Sequence, residues 1–211
     1  MNRRIFWFNE RVDAYVLEPL ARGWHAALPD PAERAVVRFF ENLRAPVDFA
    51  NNVLQAKPEA ALAVVGRFFI NSTLGAGGFL DPATSAGLEA RREDFGQTLG
   101  RWGVGPGPYL VLPFLGPSTP RDAFGLIPDS FAYVWPYFVD RWVTISTGAV
   151  YGVSLRASLL EEVESARKSS LDYYAFVRNA YLQHRRALVS DSPEQTQQQE
   201  EDLYYLDFDE E

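Results

Sequence analysis

Covalent chemistry needs a nucleophile beside a base, a set of metal ligands or a cofactor loop, and few residues of this chain could supply any of them. The 211 residues hold two histidines, His25 and His184, and no cysteine. That removes a thiol nucleophile, a thiolate metal site and a disulfide framework, and leaves too few imidazoles for a histidine-rich site. His184 falls on the apolar face of the last predicted helix and His25 sits beside Trp24, so both are expected as hydrogen-bonded core or boundary histidines and not as bases. The acid pairs Glu93-Asp94 and Glu161-Glu162 are expected on solvated helix surface, without the fixed separation that two-carboxylate catalysis needs. No G-x-S-x-G elbow, P-loop or G-x-G-x-x-G run occurs, and Asn71-Ser72-Thr73 fits a glycosylation acceptor only formally. Neither catalytic residues nor a metal nor a cofactor is expected.

Two groups could act without making or breaking bonds. Arg121-Asp122 interrupts apolar sequence on both sides; the pair is either a helix cap, the favoured reading, or part of a polar lining. The run Gly103, Val104, Gly105, Pro106, Gly107 and Pro108 is either a tight turn or a hinged gate, since its glycines open backbone conformations that its prolines then stiffen.

The elements that must position these groups are helical. Ile5, Phe8, Val12, Tyr15 and Val16 recur at helical spacing before Pro19, which predicts an amphipathic helix over about residues 3–18. Phe6 and Trp7 widen its apolar face, and the helix is either ordinary core or an interfacial helix with its rings turned into a membrane. Asp30-Pro31-Ala32-Glu33 reads as a capping box with Ala35, Val36, Phe39, Phe40 and Leu43 as the buried stripe behind it. Pro46 opens a helix using Val47, Ala50, Val53 and Leu54, and Pro58 opens one using Ala61, Leu62, Val65, Phe68 and Phe69. Asp81-Pro82 and Thr119-Pro120 are further start signals, and Ser169-Ser170-Leu171-Asp172 reads as a capping box before the last helix. The start, Met1 to Glu10, regains charge too early for a signal-peptide apolar region, so a targeting segment is expected to be absent or already removed.

From Trp102 to Pro120 nineteen residues carry no charge, but five prolines and four glycines break them. A spanning helix is thereby excluded, and an irregular loop or short extended piece is expected. The uncharged run from Trp142 to Leu155 suits a buried or interfacial helix. The net charge of −8 sits in the tail: residues 191–211 hold nine acids and no Lys or Arg, leaving 28 − 9 = 19 acids against 20 bases in the body. The body lacks the basic excess of a nucleic-acid binder. A single domain over 1–190 and a disordered acidic tail over 191–211 are expected. With 15 Phe, 10 Tyr and 5 Trp, the chain has more rings than a core of this size requires.

The strings NRRIFWFNERVD, LRAPVDFANNVLQAKP, GRFFINSTLGAGGFLD, EDFGQTLGRWGVGPGPYLVLPFLGPSTPRDAFG and SSLDYYAFVRNAYLQHRRAL resemble the MlaA (VacJ) family of outer-membrane lipoproteins over nearly all of residues 2–188. The resemblance implies an all-α, ring-shaped single domain with an amphipathic central channel, set in the inner leaflet of the outer membrane and facing the periplasm. It implies transport of mislocalised phospholipid to a soluble periplasmic carrier, MlaC, association with a trimeric porin, and no cofactor. It carries the gate role onto Gly103–Pro108 and membrane embedding onto Ile5, Phe6, Trp7, Phe8 and Val12. Family precursors carry a signal peptide and a lipidated cysteine, neither of which this chain shows, so a shortened form or a member anchored by its ring is expected. The acidic tail is expected to help dock the carrier. The rival readings are a membrane phospholipase or acyltransferase and a scaffold that only tethers porin.

Overall fold

A computed structural model describes residues 1–191; the expectations placed on 192–211 lie outside the described residues. In chain order the elements are α1 (Asn2–Val12), a π turn (Asp13–Leu17), α2 (Glu18–Ala27), α3 (Asp30–Leu43), α4 (Ala45–Leu54), α5 (Pro58–Thr73), α6 (Pro82–Ser85), α7 (Phe95–Arg101), β1 (Leu110–Leu112), β2 (Gly116–Ser118), α8 (Pro120–Ala132), α9 (Trp135–Phe138), α10 (Arg141–Ser158), α11 (Leu160–Ser169) and α12 (Tyr173–Ser190). The uncharged 102–120 block folds as expected into loop and a short antiparallel hairpin, with Val111 opposite Pro117.

Prolines set most of the helix starts. Pro19, Pro31, Pro46, Pro58, Pro82, Pro120 and Pro136 all lie in first turns, where the missing N–H has no partner to lose. Asp81 and Thr119 cap α6 and α8 as expected, accepting from the Thr84 and Asp122 amides. Three boundaries differ from expectation. Pro19 does not end the first helix: the Glu18 N–H reaches back to the Asp13 carbonyl in the widened turn, and the chain continues helically to Ala27. No side-chain cap forms at Asp30, which is already the first helical residue after Pro29, and the Glu33 side chain meets His25, 3.1 Å away. Asp172, and not Ser169, caps α12, while the Ser169 hydroxyl bonds back to Ser165 in α11.

The packing order closes on itself. α1 lies on β1, β1 pairs with β2, β2 meets α12, α12 meets α7, α7 meets α4, α4 meets α5, α5 meets α3, α3 meets α10, and α10 meets α2, which returns through the π turn to α1. Among the described residues α1 and α2 make no comparable packing across this circuit with α4, α5 or α7.

Burial runs against the usual order. The largest side chains that are fully enclosed are Asn51, Asn52, Thr98, Thr119 and Ser154, whereas Phe131, Phe138 and Trp142 are 70%, 82% and 69% exposed. The stripe expected on α4 is therefore partly reversed. Val47 is buried, but Val53 and Leu54 face out, and Asp48, Asn51, Asn52 and Gln55 face in. On α5 likewise, Ala61 is buried while Leu62 and Phe69 are exposed. Among the described residues no single helix is long and apolar enough to cross a membrane; α10 and α11 reach that mark only as a pair bent by 55°.

Candidate functional site

The Gly103–Pro108 run leaves α7 through a glycine cap. Gly103, at φ 91°, sends its N–H to the Gly100 carbonyl at 3.0 Å, and the Val104 N–H reaches Leu99 at 2.9 Å. Residues 103–108 are all exposed, and among the described residues Gly105–Pro108 make no backbone hydrogen bond to other backbone. Both ends are tied. Trp102 Nε1 donates to the Leu54 carbonyl at 3.1 Å, Arg121 Nη1 to Val104 at 3.4 Å, and Asn2 Nδ2 to the Tyr109 carbonyl at 2.7 Å.

α1 carries the hairpin that follows. Asn9 grips it from both sides, donating to the Leu112 carbonyl at 2.8 Å and accepting from the Phe114 amide at 2.9 Å. Ile5, Phe6 and Val12 are half-buried, with the Phe6 ring 5.3 Å from Tyr174 and 5.7 Å from Tyr173 at the start of α12. Trp7 and Phe8 face outward, and Phe8 meets Phe114 edge-on at 5.3 Å. One helix thus joins an outward apolar face to the root of the glycine loop.

Arg121 and Asp122 face one another and not an open space, their side chains only 6% and 8% exposed. Thr119, not this pair, supplies the cap. Asp122 accepts from Tyr181 Oη at 2.7 Å and from Arg185 at 2.8 Å, and Arg185 also holds Asp94 at 2.6 Å. Burial pushes Asp94 upward, but the Arg185 guanidinium and the Gln97 amides outweigh it and hold the carboxyl at about 2. α7 and α8 come close enough for this only because two glycines face each other: a Cβ on Gly125 would stand 2.5 Å from the Gly96 nitrogen.

Sequence reasoning missed the polar interior. Thr98 Oγ1 donates to Asn51 Oδ1 at 2.8 Å, Asn51 Nδ2 donates to Asp129 at 2.8 Å, and Gln55 Nε2 donates to Glu93 at 2.8 Å. Glu93 is buried and paired with Lys57 at 2.8 Å, and Asp94 caps α7, so neither acid is solvated helix surface. Glu161 and Glu162 are exposed, as expected. Both histidines are exposed and neither lies in a core; Asn71 is buried and bonded to Asp81 at 3.0 Å. The signal was present in α4, where Asp48, Asn51, Asn52 and Gln55 repeat at the spacing of one helix face. Burial pushes the Asp48 carboxyl up to about 6, even with Arg44 3.0 Å away.

The sequence pattern of the MlaA lipoprotein family matches residues 1–188. The chain belongs to the MlaA lipoprotein family. Among family members, the intermembrane phospholipid transport system lipoprotein MlaA of Haemophilus influenzae is 38% identical over 197 residues, covering 90% of this chain and 77% of its own. The Escherichia coli K12 protein of the same name is 39% identical over 191 residues, covering 86% and 73%. A solved MlaA-type structure, described as the structural basis for maintenance of bacterial outer membrane lipid asymmetry, superimposes with a TM-score of 0.76 at 36% identity, covering 89% of this chain and 96% of that one. The mainly helical fold and the closed packing order agree with that neighbour.

Proposed function

We propose that this chain moves phospholipid between membranes: it removes phospholipid misplaced in the outer leaflet of the outer membrane through a channel enclosed by the helical ring, and passes it to a periplasmic carrier. One observation carries the reading. Polar side chains are enclosed while aromatic side chains stand outside. In water each exposed large ring forgoes roughly 1.5–3 kcal/mol of burial; in a bilayer the outward rings are solvated by acyl chains and the polar interior gives headgroups a path they lack in hydrocarbon.

On this reading residues 1–190 form one body set in the inner leaflet on the periplasmic side. Ile5, Phe6, Trp7, Phe8 and Val12 lie in the membrane, and Gly103–Pro108 is the gate. Arg121 and Asp122 serve by fixing the root of that gate. The body acts without covalent chemistry, beside a trimeric porin and with MlaC as acceptor. The similarity to named phospholipid transport lipoproteins supports the substrate class, and the free loop on two tied ends supports the gate.

The test is transfer of labelled phospholipid from vesicles containing the full chain to an acceptor carrier, with the products analysed. Intact lipid in the acceptor is expected; released fatty acid or lysolipid would replace transport by hydrolysis. A photoreactive lipid should label Gly105 in preference to Glu162, and equal labelling would leave only a scaffold.

A further inference from the structure

A groove of about 1040 Å³ opens between the start of α5, the 87–93 connection and the last turn of α12. None of the gate or membrane-helix residues lines it. Its volume stands at the upper end of the ~300–1,000 Å³ of small-molecule sites, and its walls set short apolar residues such as Ala60, Ala63 and Ala187 beside the bases Lys57, Arg91, Arg92 and Arg101 and the acids Glu59, Glu89, Glu93 and Asp191. Behind its wall Asn52 is fully enclosed, with Oδ1 unpartnered among the described residues.

The acidic tail starts inside this groove. Asp191 is part of the wall, turns the chain out of α12 at φ 52°, and has its carboxylate held by Lys57 at 2.6 Å and by Arg101 at 3.6 Å. Arg91 and Arg92 stand further along the wall, 57% and 54% exposed, and among the described residues they pair with the exposed Glu89 and the half-buried Glu41, pairings weak enough to be exchanged. Beyond Asp191 the sequence has eight more acids, no Lys or Arg, and the cluster Leu203, Tyr204, Tyr205, Leu206 and Phe208. The stretch from 191 to 203 can extend up to about 40 Å, so the cluster reaches any part of the groove, and tethering holds it there at an effective concentration on the order of millimolar.

We propose that this groove is the docking site of the chain's own residues 192–211, with tail acids on Arg91, Arg92 and Arg101 and the aromatic cluster against the short apolar walls. Groove and tail then mask each other until one is drawn away. The inference does not depend on lipid transport.

Because the chain has no cysteine, crosslinking in the full-length protein tests it directly. Glu59→Cys on the groove wall is combined with Tyr204→Cys in the tail, and the control pairs Glu161→Cys on α11 with the same tail cysteine. With a bismaleimide the Glu59 pair should link within one chain several-fold faster than the control, and high salt or Arg91→Glu with Arg92→Glu should bring it down to the control rate. Equal rates, or links only between chains, would overturn the proposal, the second outcome giving the groove to another molecule.

Discussion

The 103–108 loop and the base it stands on are neighbours in sequence and follow opposite rules. The base joins three helices through Arg185, which spans Asp94 and Asp122, and through two glycines that let α7 and α8 nearly touch. The loop has exposed residues throughout, and among the described residues Gly105–Pro108 make no backbone hydrogen bond to other backbone. Segments with few enclosed contacts open at low free energy, whereas a hydrogen-bonded charge network opens only with the whole fold. A tip able to move without moving its base is what the proposed gate requires.

The largest effect should come from the base. Arg185→Ala strands two carboxylates whose side chains are 24% and 8% exposed, which costs about 3–5 kcal/mol and should lower the unfolding midpoint by about 10 °C. Arg185→Lys should fall between, since an ammonium cannot bridge two carboxylates as a guanidinium fork does. A midpoint within a degree or two of the parent would show that the base is no more rigid than the tip.

The second effect is pH-dependent and tests the polar interior beneath the base. The Asp48 carboxyl is pushed up to about 6 by burial, so the fold holds that proton more tightly than the unfolded chain, where the value is about 4. Its contribution to stability is therefore complete below about pH 4 and is lost as pH rises through 6. Asp48→Asn keeps an acceptor for the Glu93 amide, 3.2 Å away, but has no charge to desolvate. Relative to the parent it should gain stability between pH 4 and 6.5, by up to about 3 kcal/mol. Parallel curves from denaturant titrations across that range would remove Asp48 as the cause.

A third, smaller effect separates stability from membrane contact. Trp142→Ser removes a ring that is 69% exposed, so the unfolding midpoint in detergent should hardly move, while vesicle partitioning should weaken by about 1.5–3 kcal/mol. Loss of stability without loss of partitioning would make the ring part of the core.

These contrasts explain what the sequence could and could not show. Helix starts were legible because proline and the caps Asp81 and Thr119 act within one turn of themselves. The irregular course of 103–108 was legible for the same reason, its glycines and prolines acting locally. The faces of α4 and α5 were not, because periodicity marks an apolar stripe without saying whether water, protein or lipid lies against it. Val53, Leu54 and Phe69 were therefore legible as periodic apolar residues of their helices but not as residues that face out. Arg185 stood unnoticed in a conventional last helix, since its partners Asp94 and Asp122 are 91 and 63 residues away.

The loop itself comes last, and there the two regions should part most clearly. Gly103 and Gly107 hold φ of 91° and 72°, so replacing both with Ala strains each by about 1 kcal/mol and removes conformations on which a hinge depends. Pro106→Gly with Pro108→Gly does the reverse, adding freedom in an exposed segment at a change of roughly 0.5 kcal/mol. If the loop gates lipid, the alanine pair should slow transfer several-fold with an unfolding midpoint lowered by a few degrees, and the glycine pair should change transfer by a comparable factor with a nearly parental midpoint. Arg185→Lys, by contrast, should lower stability and transfer together. Loop variants that transfer lipid at the parental rate would leave the glycine run as a turn, and the division between moving tip and fixed base would lose its functional meaning.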